Sequence, residues 1–212
     1  MKALPSITDQ IDEKIIYKVI DKNFSLLAPF FYSFISNWLV RAYERYNDID
    51  KFLIIIYLIH QNLVFYRKNG LIINYDTFYK DRTIEINKIN ISDISKDLEI
   101  PKESVRRKIL DLEKNGAIKK VGKKIFIDRS TLHKARATDT VSELSNLLSQ
   151  FNKILKKENL IKEIFELDKI TNSIKENFSF CLYQLNKFIF IYLNRWRAEV
   201  KDLETLSIGM IL

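Results

Sequence analysis

The residues able to do chemistry in this chain are cationic, and they are concentrated. Between Lys102 and Arg136 stand twelve basic residues, Lys102, Arg106, Arg107, Lys108, Lys114, Lys119, Lys120, Lys123, Lys124, Arg129, Lys134 and Arg136, against four acids, Glu103, Asp111, Glu113 and Asp128. That surplus equals the net charge of the whole 212-residue chain, +8, so the rest of the sequence is neutral. A solvated helix face mixes both signs, whereas a surplus held in one segment suits a polyanionic partner. An AT-rich genome would also favour lysine, which outnumbers arginine 25 to 10, but that bias would spread the charge along the chain. A guanidinium can donate two hydrogen bonds to guanine O6 and N7, worth about 1 to 3 kcal/mol of discrimination, whereas clustered lysines mostly neutralise phosphates.

Little else in the sequence is reactive. His60 and His133 are the only histidines and Cys181 the only cysteine, which leaves no metal-ligand spacing and no intrachain disulfide, and suits a reducing cytosol. No glycine pair has the spacing of a phosphate-cradling loop. His60 lies in an apolar run and reads as a hydrogen-bonded core histidine. Cys181, between Phe180 and Leu182, reads as a small buried hydrophobe. No catalytic residue, cofactor or metal is expected, and an enzyme has no constellation to support it.

The elements that must position the cations are legible around them. Thr83 to Asn87 alternates like a half-buried strand. Ser92 reads as the cap of a short helix with Ile94 and Leu98 facing inward, and Pro101 fits the tight turn that follows. A second helix keeps Val105, Ile109 and Leu112 within about 60° of arc, which leaves Glu103, Arg106, Arg107, Leu110 and Lys114 on the other side. Asn115-Gly116 ends it. Ile118 to Ile127 then reads as two strands around a Val121-Gly122 turn, with Lys119, Lys120, Lys123 and Lys124 near the tip.

This segment resembles the winged helix-turn-helix of bacterial regulators of the GntR, DeoR and MarR type. The resemblance lies in Ile94 to Pro101, Ser104 to Ile109 and Leu112 to Ile118, and covers roughly 45 of 212 residues. It implies a second helix in the major groove and a wing on the DNA backbone or in the minor groove. Carried over residue by residue, it makes Ser104, Arg106 and Arg107 groove-facing, with Lys102 and Glu103 at the helix N-terminus and Ser92 among the contact residues. Lys119, Lys120, Lys123 and Lys124 match the wing. Each arginine fits base readout and phosphate clamping equally. Glu103 could accept from a cytosine amino group, but favouring the helix N-terminus fits it better. The His, Asp and Glu set by which some GntR relatives hold a metal-linked ligand is absent.

Elsewhere, four glycines and three prolines favour long helices. Helices are expected over Ile7 to Ile20, capped by Ser6 or Thr8, over Phe24 to Tyr46, with Pro29 in the first turns if it begins near Leu26, and from Asp48 or Asp50 to about Arg67, closed by Gly70. Leu71 to Lys80 is an unassigned aromatic connector. Thr138 or Thr140 with Glu143 resembles a capping box ahead of a helix of about five turns. A last helical stretch from Leu160 to Leu203 is expected to break near Thr171 to Asn177, and its aromatics read as core, with an effector pocket as the alternative.

The expected fold is mainly α, with the winged module at 81–136 between helical regions 1–80 and 137–212 that pack and dimerise. The apolar run Phe52 to Ile59 is too short to cross a bilayer and reads as a buried helix. With no apolar signal core at the N-terminus, a cytoplasmic, non-membrane location is expected. The functional expectation is a homodimeric, sequence-specific transcriptional regulator of double-stranded DNA, its effector unknown. The alternative is a winged helix used for protein contact or as an architectural nucleic-acid binder.

Overall fold

The computed structural model describes residues 12–80, 83–87, 90–122, 124–128, 138–200 and 202–211. The chain is mainly helical, with one small three-stranded antiparallel sheet among these residues. Its first helices are α1 (Glu13–Lys22), α2 (Phe24–Tyr46), α3 (Ile49–Lys68) and α4 (Tyr75–Lys80). Strand β1 (Thr83–Asn87), α5 (Ile91–Leu98), α6 (Lys102–Lys114), β2 (Ile118–Val121) and β3 (Lys124–Asp128) follow. The chain closes with α7 (Thr138–Lys157), α8 (Leu167–Glu176), α9 (Phe178–Arg197) and α10 (Leu203–Ile211).

Local chemistry explains most of these bounds. Asp48 caps α3 by accepting from Lys51 N at 3.0 Å. At its other end Gly70, at φ +63°, lets Leu71 N reach Tyr66 O at 2.9 Å and Gly70 N reach Arg67 O at 3.2 Å, which satisfies two orphan carbonyls. Helix α1 is capped by Asp12, which accepts from Lys14 N at 2.7 Å. The caps suggested by sequence, Ser6 and Thr8, lie outside the described residues.

Several expectations are corrected. Helix α2 spans Phe24–Tyr46 as expected, but because it begins at Phe24 and not nearer Leu26, Pro29 is its sixth residue; the amide it lacks would have served the carbonyl of Ser25, an exposed residue. The aromatic connector contains α4, whose start is held by Thr77 N donating to Asn74 Oδ1 at 2.8 Å. Glu143 closes no capping box: its carboxylate takes Arg41 in a bidentate pair at 2.9 and 2.6 Å and ties α7 to α2. The C-terminal helical stretch begins at Leu167 rather than near Leu160; its expected break falls at Asn177, and a second break separates α9 from α10.

The sheet order is β1-β3-β2. Its register pairs Ile84 with Ile127 and Ile86 with Ile125, and β2 pairs Ile118 with Ile127. With a side-chain period of two, these five isoleucines share one face. They join Ile94, Leu98, Val105, Ile109 and Leu112 in a single core that also contains Leu39, Leu53, Ile54, Leu58, Ile189 and Leu193. The sheet and its two helices therefore rest on α3 and α9, and α2 packs on α3 behind them. Helix α3 alone among the described helices is long and apolar enough to cross a membrane by length and composition. Its Leu53, Ile54, Ile55 and Leu58 are instead buried in this core.

Candidate nucleic-acid interface

The candidate interface is built on α5, α6 and the β2–β3 hairpin. Asn90, not Ser92, caps α5, its Oδ1 accepting from Ser92 N at 3.1 Å. An N-cap oxygen reaches amides two or three residues on, so Ser92 belongs to the first turn, where it is half-buried. Glu99 ends α5 at φ +53°, and Ser95 fastens the turn by donating from Oγ to Ile100 O at 2.7 Å. Leu98, Ile100 and Val105 are buried across that turn and set the second helix against the first.

Helix α6 buries Val105, Ile109 and Leu112 and exposes Lys102, Glu103, Arg106, Arg107, Leu110 and Lys114, while Ser104 is half-buried. At 100° per residue Glu103, Arg107, Leu110 and Lys114 form one outward stripe with Arg106 beside it. Arg106 and Glu103 approach to 3.7 Å, but both are strongly exposed, so the pair contributes little stability and leaves the guanidinium available. Gly116, at φ +72°, closes the helix through Ala117 N to Leu112 O at 2.9 Å and Gly116 N to Glu113 O at 3.0 Å, which turns the chain into β2.

The cations fall into two groups. Lys108, part of the basic surplus, faces inward: its side chain is 13% exposed, and Nζ contacts the Asp48 carboxylate and lies 3.6 Å from Asp50. Arg197 reaches the same Asp50 at 2.7 Å, and Lys51 reaches Asp111 at 3.2 Å. Asp48, Asp50 and Lys51, at the start of α3, thus clamp the inner flank of α6, and Arg197 of α9 braces Asp50. On the hairpin, Lys120 pairs with Glu113 of α6 at 3.2 Å and Lys124 pairs with Glu85 of β1, although both lysines stay exposed. Lys102, Arg107, Lys114 and Lys119 have no ion pair among the described residues and are exposed. Lys123 lies outside those residues.

No family model matches the chain, and neither a curated protein nor a solved structure does.

The chain's other reactive side chains sit away from this face. His60 stacks on Tyr183 with ring centroids 4.8 Å apart and meets Phe190 edge-on. Burial, with a smaller contribution from Lys187, pushes its pKa down from 6.5 to about 4. It packs half-buried among aromatic rings rather than in the core, and the expected hydrogen bond is missing at Nδ1, which is buried without a partner. Burial raises the Cys181 thiol to about 11, which makes it unreactive. The C-terminal aromatics pack: Phe178 meets Tyr75, Phe78 and Tyr79 at centroid distances of 5.0, 5.2 and 5.6 Å. The gap beside Phe178 and Cys181 measures only about 20 Å³, the space of a single water. No group of three His, Cys, Asp or Glu side chains able to hold a metal occurs among the described residues.

Sequence reasoning counted Lys108 in the basic surplus, and the clamp draws that charge inward. It left Leu110 out of the candidate contacts, although the helical period alone placed that side chain outward.

Proposed function

We propose that the chain is a bacterial, cytoplasmic transcriptional regulator that binds duplex DNA sequence-specifically through a winged helix-turn-helix, with α6 in the major groove and the β2–β3 hairpin as the wing. The observation that carries this reading is the outer face of α6. There Arg106 and Arg107 are exposed, and Lys102, Arg107 and Lys114 have no ion pair among the described residues, on a helix clamped from behind through Lys108. A helix immobilised on its inner flank loses little freedom when it docks, so its exposed donors can discriminate between bases. Lys119 and, once released from their partners, Lys120 and Lys124 neutralise phosphates.

The same reading makes the chain a homodimer, because paired modules meet half-sites about one helical turn apart. Exposed Leu26 and Phe30, one turn apart on α2, offer an apolar surface for that contact.

A second reading is contact with an acidic protein surface. It draws on the exposed Leu110 and Val121 among the cations and on the internal pairing of Lys120 and Lys124. A salt series on duplex DNA separates the two. Counterion release predicts a steep loss of affinity from about 50 to 200 mM salt, with a log-log slope of about 0.9 per phosphate contact. A flat response, or no binding at low salt, removes the DNA reading.

A further inference from the structure

Leu110 is 55% exposed at the centre of the outward stripe of α6, although the same helix buries Val105, Ile109 and Leu112 almost completely. We infer that Leu110 is a specificity-determining residue that packs against the C5-methyl group of a thymine in the bound DNA. The inference rests on the DNA-binding reading above and specifies what that site recognises.

Three observations carry it. The first is spacing: a helix lying in the major groove reaches base edges with residues at i, i+3, i+4 and i+7. On α6 these are Glu103, Arg106, Arg107 and Leu110, so the leucine occupies a reading position in the same register as the two arginines. The second is surroundings. The helical neighbours of Leu110 at three and four residues on either side are Arg106, Arg107, Glu113 and Lys114, all charged. A hot spot for a protein partner needs an apolar patch depleted of charge. A single leucine ringed by four ionic groups fits one small apolar target beside a polyanion, and the thymine methyl is the apolar group that the major groove offers. The third is rise. Leu110 lies three residues beyond Arg107 and four beyond Arg106, about 4.5 to 6 Å along the axis. At about 3.4 Å per base pair, its thymine falls one or two base pairs from a guanine read by either arginine.

The test replaces thymine by deoxyuridine, which removes only the methyl. The full chain is used to select a site from random duplex DNA, and each thymine of that site is then exchanged singly. One exchange, one or two base pairs from a guanine, is expected to weaken binding about fourfold, the effect of losing one buried methyl-sized group. Leu110→Ala should bind the thymine site more weakly and be indifferent to the exchange, with an unchanged melting temperature because the side chain lies outside the core. Tight binding that ignores every exchange, or a Leu110→Ala variant as sensitive as the parent chain, overturns the inference and leaves the DNA reading intact. Failure to bind any duplex at low salt overturns both.

Discussion

The Asp48 carboxylate joins α3 to Lys108 of α6, sixty residues further along the sequence: Oδ1 caps α3 through Lys51 N at 3.0 Å, and Oδ2 receives Lys108 Nζ. The oxygen that starts the central helix of the body therefore shares its carboxylate with the candidate recognition helix. Orientation of α6 depends on the integrity of the first turn of α3.

That double role makes a graded prediction. Asp48→Asn keeps a competent cap and weakens the ion pair, whereas Asp48→Ala loses both and leaves Lys108, which is mostly buried, to Asp50 alone. Urea unfolding should place the alanine variant about 1 to 2 kcal/mol below the asparagine variant, the ordinary value of an N-cap. Equal stability of the two would show that the cap contributes nothing.

Reading and clamping should separate within the module. Arg106→Ala or Arg107→Ala is expected to cost about 1 to 3 kcal/mol on the selected site and to relax preference at one base pair, whereas Lys119→Ala should weaken all sequences alike and lower the salt slope by about one. Exposed substitutions of this kind shift stability by less than about 0.5 kcal/mol, so the fold survives each. Binding to the selected and to scrambled DNA across a salt series is the measurement. Equal losses on both DNAs for both arginine variants would make the chain a nonspecific or architectural binder.

The dimer is tested at Leu26 and Phe30, 53% and 40% exposed. Light scattering should give a dimer for the parent chain at micromolar concentration and a monomer for the Leu26→Glu, Phe30→Glu double variant, with helical content unchanged. A parent chain that stays monomeric with and without DNA excludes the arrangement.

His60 predicts a pH dependence. Its pKa is lowered in the folded protein from 6.5 to about 4, so the folded state favours the neutral ring while the unfolded chain takes up a proton below 6.5. The stability it contributes is complete above about pH 6.5 and is lost as pH falls towards 4. Because the ring is only part-buried, the loss is discounted to about 1 to 2 kcal/mol. His60→Phe preserves the stack on Tyr183 and should flatten the stability profile between pH 6.5 and 5. An unchanged profile would place the titration elsewhere.

Most element bounds were legible in the sequence because the forces that set them are local. The period of Val105, Ile109 and Leu112, the alternation of Thr83 to Asn87, and the glycines after α3 and α6 act through hydrogen bonds and side-chain spacings within a few residues. Misreadings arose where two local partners competed or a distant one intervened. Asn90 rather than Ser92 caps α5, although both residue types favour that position, and Glu143 left a plausible capping box for Arg41 on another helix. The short helix α4 rests on tertiary contacts of its aromatics with Phe178, a hundred residues away in sequence.

The sequence by itself determined where the positive charge lies, which face of α6 points outward and that a hairpin follows it. Tertiary structure alone decided which cations remain available. Lys108 is drawn inward by Asp48 and Asp50, Lys124 is paired with Glu85 and Lys120 with Glu113, while Arg107, Lys114 and Lys119 are left to solvent. The physical reason is that net charge is a sum over residues, whereas the availability of a charge depends on which opposite charge the fold brings within about 4 Å.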